Sequence, residues 1–321
     1  MKDFPKFKAA AVQTCPAFLN VEKTVDKAIA LLTEAAKNGA KLVAFPEVFI
    51  AGYPYWNWIM SPIAGSKWYE QLYRNSIPVH HPAIDRLRKA AKAHDIHVVI
   101  GMNEQGESYG EIYNTNLIIS NQGELLGRHR KLVPTWAEKL SWTSGDGSSL
   151  KVYNTDIGPI GTLACGENTN TLARYTLLTQ GELIHIANYI SLPVAPPDYN
   201  MAEAIKIRAA AHSFEGKLFT AVSCSTISKE IMEALKPDVP NVEEMLSRKS
   251  SAFSGFIGPN GAVTGDAPLI DDEGIVYADI DLAKCIQPKQ MHDILGHYNR
   301  FDIFDLRVNT APTKRITFTN E

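Results

Sequence analysis

Cysteine is scarce in this chain of 321 residues. Cys15, Cys165, Cys224 and Cys285 stand far apart with no CxxC pair, which argues against a disulfide framework and a thiolate zinc site. An excess of one charge is lacking too. Thirty-two Lys and Arg face 35 Asp and Glu, for a formal net charge of −3, and no basic run supplies the footprint of a nucleic-acid binder. No apolar stretch approaches the ~20 residues needed to cross a bilayer, and Met1-Lys2-Asp3-Phe4-Pro5 lacks the apolar core of a signal peptide. The expected setting is therefore cytoplasmic, with neither membrane nor nucleic acid as partner. GxGxxG, P-loop, HExxH and EF-hand patterns do not occur, so nothing in the chain asks for a cofactor or a metal.

What is present is a globular composition, 45% hydrophobic and 21% charged, with a regular alternation of elements. Phe7 to Thr14 reads as a buried strand. Asn20 can cap a helix whose Val25, Ile29, Leu32 and Ala36 share one face, Asn38-Gly39 can stop it, and Lys41 to Phe45 reads as the next strand. A helix from Pro82 to His94 and a strand from Ile96 to Met102 repeat the unit, which implies parallel neighbours. Tyr113 to Ser120 and Gly123 to Lys131, joined at Asn121-Gln122-Gly123, predict an antiparallel hairpin and hence a mixed sheet. Strands Ile160 to Cys165, Leu183 to Asn188 and Leu218 to Ser223 then alternate with helices Thr169 to Gln180 and Asn200 to Glu215. Two less regular stretches, the aromatic Tyr55 to Pro82 and the polar Lys229 to Arg248, read as insertions beside a site or an interface. No linker divides the chain, so one α/β domain over 1–321 is expected, with a C-terminal tail from about residue 285.

Chemistry-bearing residues cluster where these elements end. Cys165 sits where an apolar strand gives way to a helical pattern, the context of a nucleophile elbow, where backbone N–H groups and a helix dipole would lower the thiol pKa. Glu47 follows a buried strand and precedes an aromatic stretch, so its carboxyl should be desolvated and suited to accept a proton. Lys131 closes a strand and could balance Glu47, and Glu138, seven residues on, could hold the lysine. A Cys-His arrangement using His129, His185 or His212 is the competing mechanism.

Taken together, Phe45-Pro46-Glu47, His129-Arg-Lys131-Leu-Val-Pro-Thr135 and Cys165-Gly-Glu-Asn168 resemble, in order, the glutamate, lysine and cysteine motifs of the carbon-nitrogen hydrolase superfamily, specifically its nitrilase branch. Gly145-Asp-Gly-Ser148, Gln180-Gly-Glu182 through Asn188, and Gly296-His-Tyr-Asn-Arg300 extend the resemblance over nearly the whole chain. The resemblance implies a four-layer α-β-β-α sandwich with mixed sheets, no metal or organic cofactor, and homodimers that build larger spiral oligomers. It also implies roles: Cys165 as nucleophile, Glu47 as general base, Lys131 as the stabilising cation and Glu138 as a supporting glutamate. The substrate would be an organic nitrile, taken to acid and ammonia through a thioimidate and a thioester. Tyr53, Trp136, Trp142, Gly166 and Asn188 are candidate pocket residues. Gly166 departs from the tryptophan that many nitrilases place after the nucleophile, which implies room for bulky or arylacetonitrile-type substrates. An amidase or carbamoylase would use the same three residues on an amide, and an inactive scaffold would only assemble.

Overall fold

The apolar run after Pro5 forms β1 (Lys6–Gln13), and Asn20 caps the helix Val21–Lys37 by accepting a hydrogen bond from the Lys23 N–H. That helix turns Val25, Ala28 and Leu32 onto the sheet, then releases the chain through Asn38 and a left-handed Gly39 (φ +85°) into β2 (Ala40–Ala44). The structure, a computed structural model, describes residues 4–196, 198–314 and 316. Met1 to Asp3 of the segment read for a leader lie outside the described residues. The helix Pro82–His94, with proline in its first turn, leads to β3 (His97–Gln105), which lies parallel to β2. β4 (Ile112–Ile119) and β5 (Leu125–Arg130) follow as the expected antiparallel hairpin, turning through Gly123 at φ +74°.

A second sheet uses the rest of the chain. β6 (Tyr153–Thr155) and β7 (Gly158–Ala164) pair antiparallel, and β8 (Ile184–Tyr189) and β9 (Phe219–Cys224) join β7 in parallel through the helices Thr171–Thr179 and Met201–Gly216. β10 (Ser254–Ile257) and β11 (Val263–Leu269) complete it, giving the order β11-β10-β9-β8-β7-β6. β12 (Gly274–Asp281) crosses back and pairs antiparallel with β1, so the first sheet reads β12-β1-β2-β3-β4-β5.

The two sheets pack face to face on an apolar core that includes Ala9, Leu42, Val99 and Ile118 from one and Ile160, Ile186, Phe219 and Phe256 from the other. Outside the first sheet lie the helices Val21–Lys37 and Pro82–His94; outside the second lies the helix Met201–Gly216, through Ile205 and Ala209, with Ala173 and Leu177 of the helix Thr171–Thr179 against Leu163. The result is the four-layer α-β-β-α sandwich. Among the described residues no helix is long and apolar enough to cross a membrane.

Differences from the sequence reading have local causes. β6 and β10 to β12 were not expected, because β11 is polar and largely exposed and β12 alternates with aspartates; cross-strand partners, not their own composition, make them strands. The two irregular stretches have helical structure of their own that was not expected. They form the helices Trp56–Ile59, Pro62–Arg74, Lys229–Leu235 and Val242–Leu246, and pack on each other through Trp56, Leu72, Ile231, Leu235 and Val242, while Lys67 and the Trp68 indole N–H both bond Asp238.

The sheet also fixes the loop that follows β2. Gly101 of β3 donates to the Pro46 carbonyl (3.2 Å), and a Cβ there would stand 2.3 Å from the Val48 nitrogen and 2.5 Å from the Pro46 oxygen. Gly101→Ala is therefore expected to displace the Glu47 loop and cost ~1–3 kcal/mol of stability. Urea unfolding measures this; an unchanged midpoint would mean that the loop yields freely.

Candidate active site

The first sheet delivers two of the singled-out residues to the same sandwich edge, since β2 and β5 both end there. After β2, Phe45 still pairs with Val99 and the Glu47 N–H reaches the Tyr189 carbonyl at the end of β8, 3.3 Å away. After β5, Lys131 donates its N–H to the Asn114 carbonyl (2.8 Å), and the Asn114 amide donates to Glu47 Oε1 (2.7 Å). The side chains then meet. Lys131 Nζ lies 2.9 Å from Glu47 Oε1 and 2.7 Å from Glu138 Oε2, with the lysine entirely buried. Two of its N–H bonds are thereby committed, and an ammonium has a third. Glu47 Oε2 is buried with no hydrogen-bond partner.

Glu138 is held just as firmly. It sits in a 3-10 turn, Trp136–Leu140, accepts the Thr135 N–H at Oε2 (2.6 Å) and the Tyr53 hydroxyl at Oε1 (3.0 Å), and Tyr53 in turn accepts the Trp58 indole N–H.

The second sheet brings the sulfur. β7 ends at Ala164, and Cys165 turns the chain at φ +50° into a 3-10 turn, Cys165–Thr169. For a residue with a Cβ this is strained backbone, and Val48 (φ +40°) and Trp136 (φ +46°) share that strain beside Glu47 and near Glu138. Two buried networks hold the elbow. Glu167 accepts the Ala164 N–H and His129 Nε2–H at Oε2 and the Leu132 N–H at Oε1, tying the cysteine loop to the lysine loop. The Asn168 amide donates to the Leu163 and Cys165 carbonyls, its oxygen meets His185 Nε2 (2.8 Å), and Glu182 lies between His185 and His212 at 2.7 and 2.9 Å.

Electrostatics follow from burial. Desolvation and the charge of Glu47 push the Cys165 thiol pKa well above its ordinary value, although Lys131 pulls it down. This reverses the sequence expectation of a lowered pKa. The α-helix that was to supply the dipole begins at Thr171, capped by Asn170, so the 3-10 turn separates it from the sulfur. Glu47 is likewise raised by burial, against the pull of Lys131. Burial opposes the Lys131 charge, but Glu138 and Glu47 outweigh it and hold its pKa well above the usual lysine range.

Cys165 opens into a cavity of about 310 Å³ whose wall includes Trp58, Trp136, Gly166, Tyr189, Leu192 and Arg208. Of the candidate pocket residues, Trp136 and Gly166 line it. Tyr53, Trp142 and Asn188 lie behind the wall: Tyr53 supports Glu138, Trp142 packs on Tyr53 and donates to Asn103, and Asn188 pairs with Asn116 between the sheets. His129, His185 and His212 are engaged with Glu167 and Glu182, which removes the motive for a Cys-His arrangement. Among the described residues, Glu182, His185 and His212 are a group whose donor atoms come close enough for an ion; their spacing is that of carboxylate–imidazole hydrogen bonds, which account for it. Sequence reasoning gave no role to Asn114, Glu167, Asn168, Glu182 or Arg208. Glu167 and Asn168 stood inside a motif already singled out, whereas a lone arginine on a helix carries no signal.

Against known proteins, residues 8–290 match the family model described as carbon-nitrogen hydrolase. An aliphatic nitrilase of Rhodococcus rhodochrous is 36% identical over 310 residues, covering 96% of this chain and 84% of its own length. A nitrilase of Paraburkholderia phymatum is 34% identical over 97% of this chain and 89% of its own length. In fold, the chain is similar to the C. elegans NitFhit protein, at a TM-score of 0.73 and 16% identity over 98% of this chain and 70% of that one.

The histidine network makes the fold acid-sensitive. Burial and the neighbouring His185 hold His212 down to about 4, although Glu182 pulls it up, and Arg174 adds to the depression. Between the unfolded value near 6.5 and that folded value, the unfolded chain binds more protons, so stability falls as pH drops through this window. Glu182 is buried, yet His185 and His212 hold it to about 2, so its contribution is lost in turn from about 4.5 downward. Urea midpoints should thus fall between pH 7 and pH 5, and fall less in His212→Asn; equal losses in both proteins would refute the assignment.

Proposed function

We propose, since this chain belongs to the carbon-nitrogen hydrolase family and to its nitrilase branch, that it hydrolyses organic nitriles to the carboxylic acid and ammonia at Cys165. The observation that carries the reading is the buried Glu47–Lys131–Glu138 cluster within electrostatic reach of one buried thiol that lines a mainly apolar cavity. A thiol whose pKa is raised holds its proton at neutral pH, so attack needs a base at the moment of bond formation. Glu47 fills that role: its own pKa is raised, and Oε2 is free of other bonds.

As sulfur bonds to the nitrile carbon, Glu47 takes the thiol proton and passes it to the nitrile nitrogen, giving a thioimidate and leaving Glu47 again as a carboxylate. Water adds to this carbon through Glu47, the tetrahedral species expels ammonia, and a thioester remains. A second water, deprotonated by Glu47, releases the acid and returns the thiol. Lys131, kept charged by its two carboxylates, offers its remaining N–H to the negative charge that develops at the reacting centre. Glu138 fixes the lysine and does not meet the proton traffic.

The reading includes one catalytic unit over 1–321 with a tail from about residue 285. It includes self-association as a homodimer or longer spiral, supported by Leu172, Ile207 and Phe214, which are exposed on the helices Thr171–Thr179 and Met201–Gly216. A cytoplasmic setting suits four cysteines that are all unpaired.

Cys165→Ala is expected to lower ammonia release from a good nitrile by at least about 10³-fold, and mass spectrometry of the native protein with a slow nitrile should find an adduct on Cys165. Near-normal release from the variant, or faster release from matched amides than from nitriles, would reject the reading. Gly166 faces open cavity, with Thr135 Oγ1 at 3.3 Å the nearest atom to an added Cβ. Gly166→Trp should retain short aliphatic nitriles, lose arylacetonitriles and change the acid-to-amide ratio; an unaltered substrate range would remove Gly166 from the specificity determinants.

A further inference from the structure

The cavity wall carries one cation that its surroundings leave unsatisfied. Arg208, half-buried on the helix Met201–Gly216, is aimed by two bonds, Nε to Thr169 Oγ1 (2.6 Å) and Nη2 to Tyr199 Oη (3.0 Å). Its Nη1 is buried with no partner, and among the described residues no carboxylate forms a salt bridge with it. The Tyr189 hydroxyl, in the same wall, is also buried without a partner. Around them Ile190, Leu192, Val194 and Met201 offer no acceptor side chain. A charged donor left unpaired in such a place is costly, and the group that best relieves it is an anionic oxygen brought by an occupant of the cavity.

We propose that Arg208, assisted by Tyr189 Oη, selects nitriles that carry a carboxylate at the end remote from the cyano carbon. The charge balance agrees. Glu47, Glu138 and Lys131 together leave one negative charge at the reacting end, so an anionic substrate would be repelled unless a cation further along the cavity receives it. The guanidinium is that cation, and Nη1, buried and unpaired, has no bond to give up when a carboxylate is drawn to it. The chain between carboxylate and cyano group would lie against the apolar wall.

This assignment rests on nitrile hydrolysis at Cys165, and the experiment separates the two. The probes are 4-cyanobutanoate and 5-cyanopentanoate, each matched with a neutral methyl ketone of the same shape, 5-oxohexanenitrile and 6-oxoheptanenitrile. The native enzyme should show the higher kcat/KM for the carboxylates. Arg208→Met should lower the carboxylate-to-ketone ratio roughly 10- to 100-fold, mainly through KM, with Arg208→Lys recovering part of it and Tyr189→Phe losing a smaller part. An equal loss for both substrate types, as expected of a counter-charge for the thiolate alone, overturns the proposal, and so does a native enzyme that accepts the ketones and refuses both carboxylates. If no nitrile at all is hydrolysed, the nitrile reading falls, and calorimetry on Cys165→Ala still decides the anion site. Tighter binding of 4-cyanobutanoate than of 5-oxohexanenitrile, abolished by adding Arg208→Met, sustains it, and equal binding overturns it.

Discussion

A single ammonium buried between two carboxylates organises this molecule. Lys131 has no exposed side-chain surface, and its charge persists because Glu47 and Glu138 stand within 2.9 Å and 2.7 Å of it. Removing either partner from such a group typically leaves ~3–5 kcal/mol of uncompensated charge in the interior. The fold accordingly surrounds the trio with fixed donors: the Asn114 amide on Glu47, the Thr135 N–H and the Tyr53 hydroxyl on Glu138. Burial raises the proton affinity of Cys165 and of Glu47, the neighbouring carboxylates add to the rise and Lys131 opposes it, so the resting site holds a neutral thiol.

Placing that trio against sulfur is a task for two sheets. Glu47 and Lys131 leave the ends of β2 and β5 in one sheet, Cys165 leaves β7 in the other, and Asn116 bonding both Thr162 and Asn188 ties the sheets together nearby. Val48, Trp136 and Cys165 all adopt positive φ, so strained backbone coincides with the loops that bring Glu47, Glu138 and the Cys165 sulfur inward. The hydrogen-bond networks through Glu167 and Asn168 hold the cysteine loop against that strain, and this occupies the histidines that could otherwise be taken for general bases.

Much of this was legible in the residues, and the failures share a cause. Elements that carry their own periodicity and caps, such as the helix after Asn20 and the hairpin around Gly123, appear with bounds within a few residues of those expected. The three motifs around Glu47, Lys131 and Cys165 were identifiable because each stands where a strand breaks off. β10 to β12 were not, since their strand character comes from partners distant in sequence. Tyr53, Trp142 and Asn188 looked like pocket residues because aromatic and amide side chains suit a pocket and a supporting wall equally well; the side of the wall is a matter of packing.

Sequence alone determined the alternation of strands and helices and the mixed first sheet, and it singled out a thiol, a carboxylate and an ammonium as one candidate set, because these depend on local pattern and on functional groups that no other residue supplies. The tertiary structure decided the rest. It raised the thiol pKa where local reasoning lowered it, since burial and a neighbouring carboxylate outweigh a helix that begins six residues further along the chain. It also turned an unremarked helical arginine into the only cation on the cavity wall among the described residues, because the fate of a charge depends on which partners the fold brings within reach.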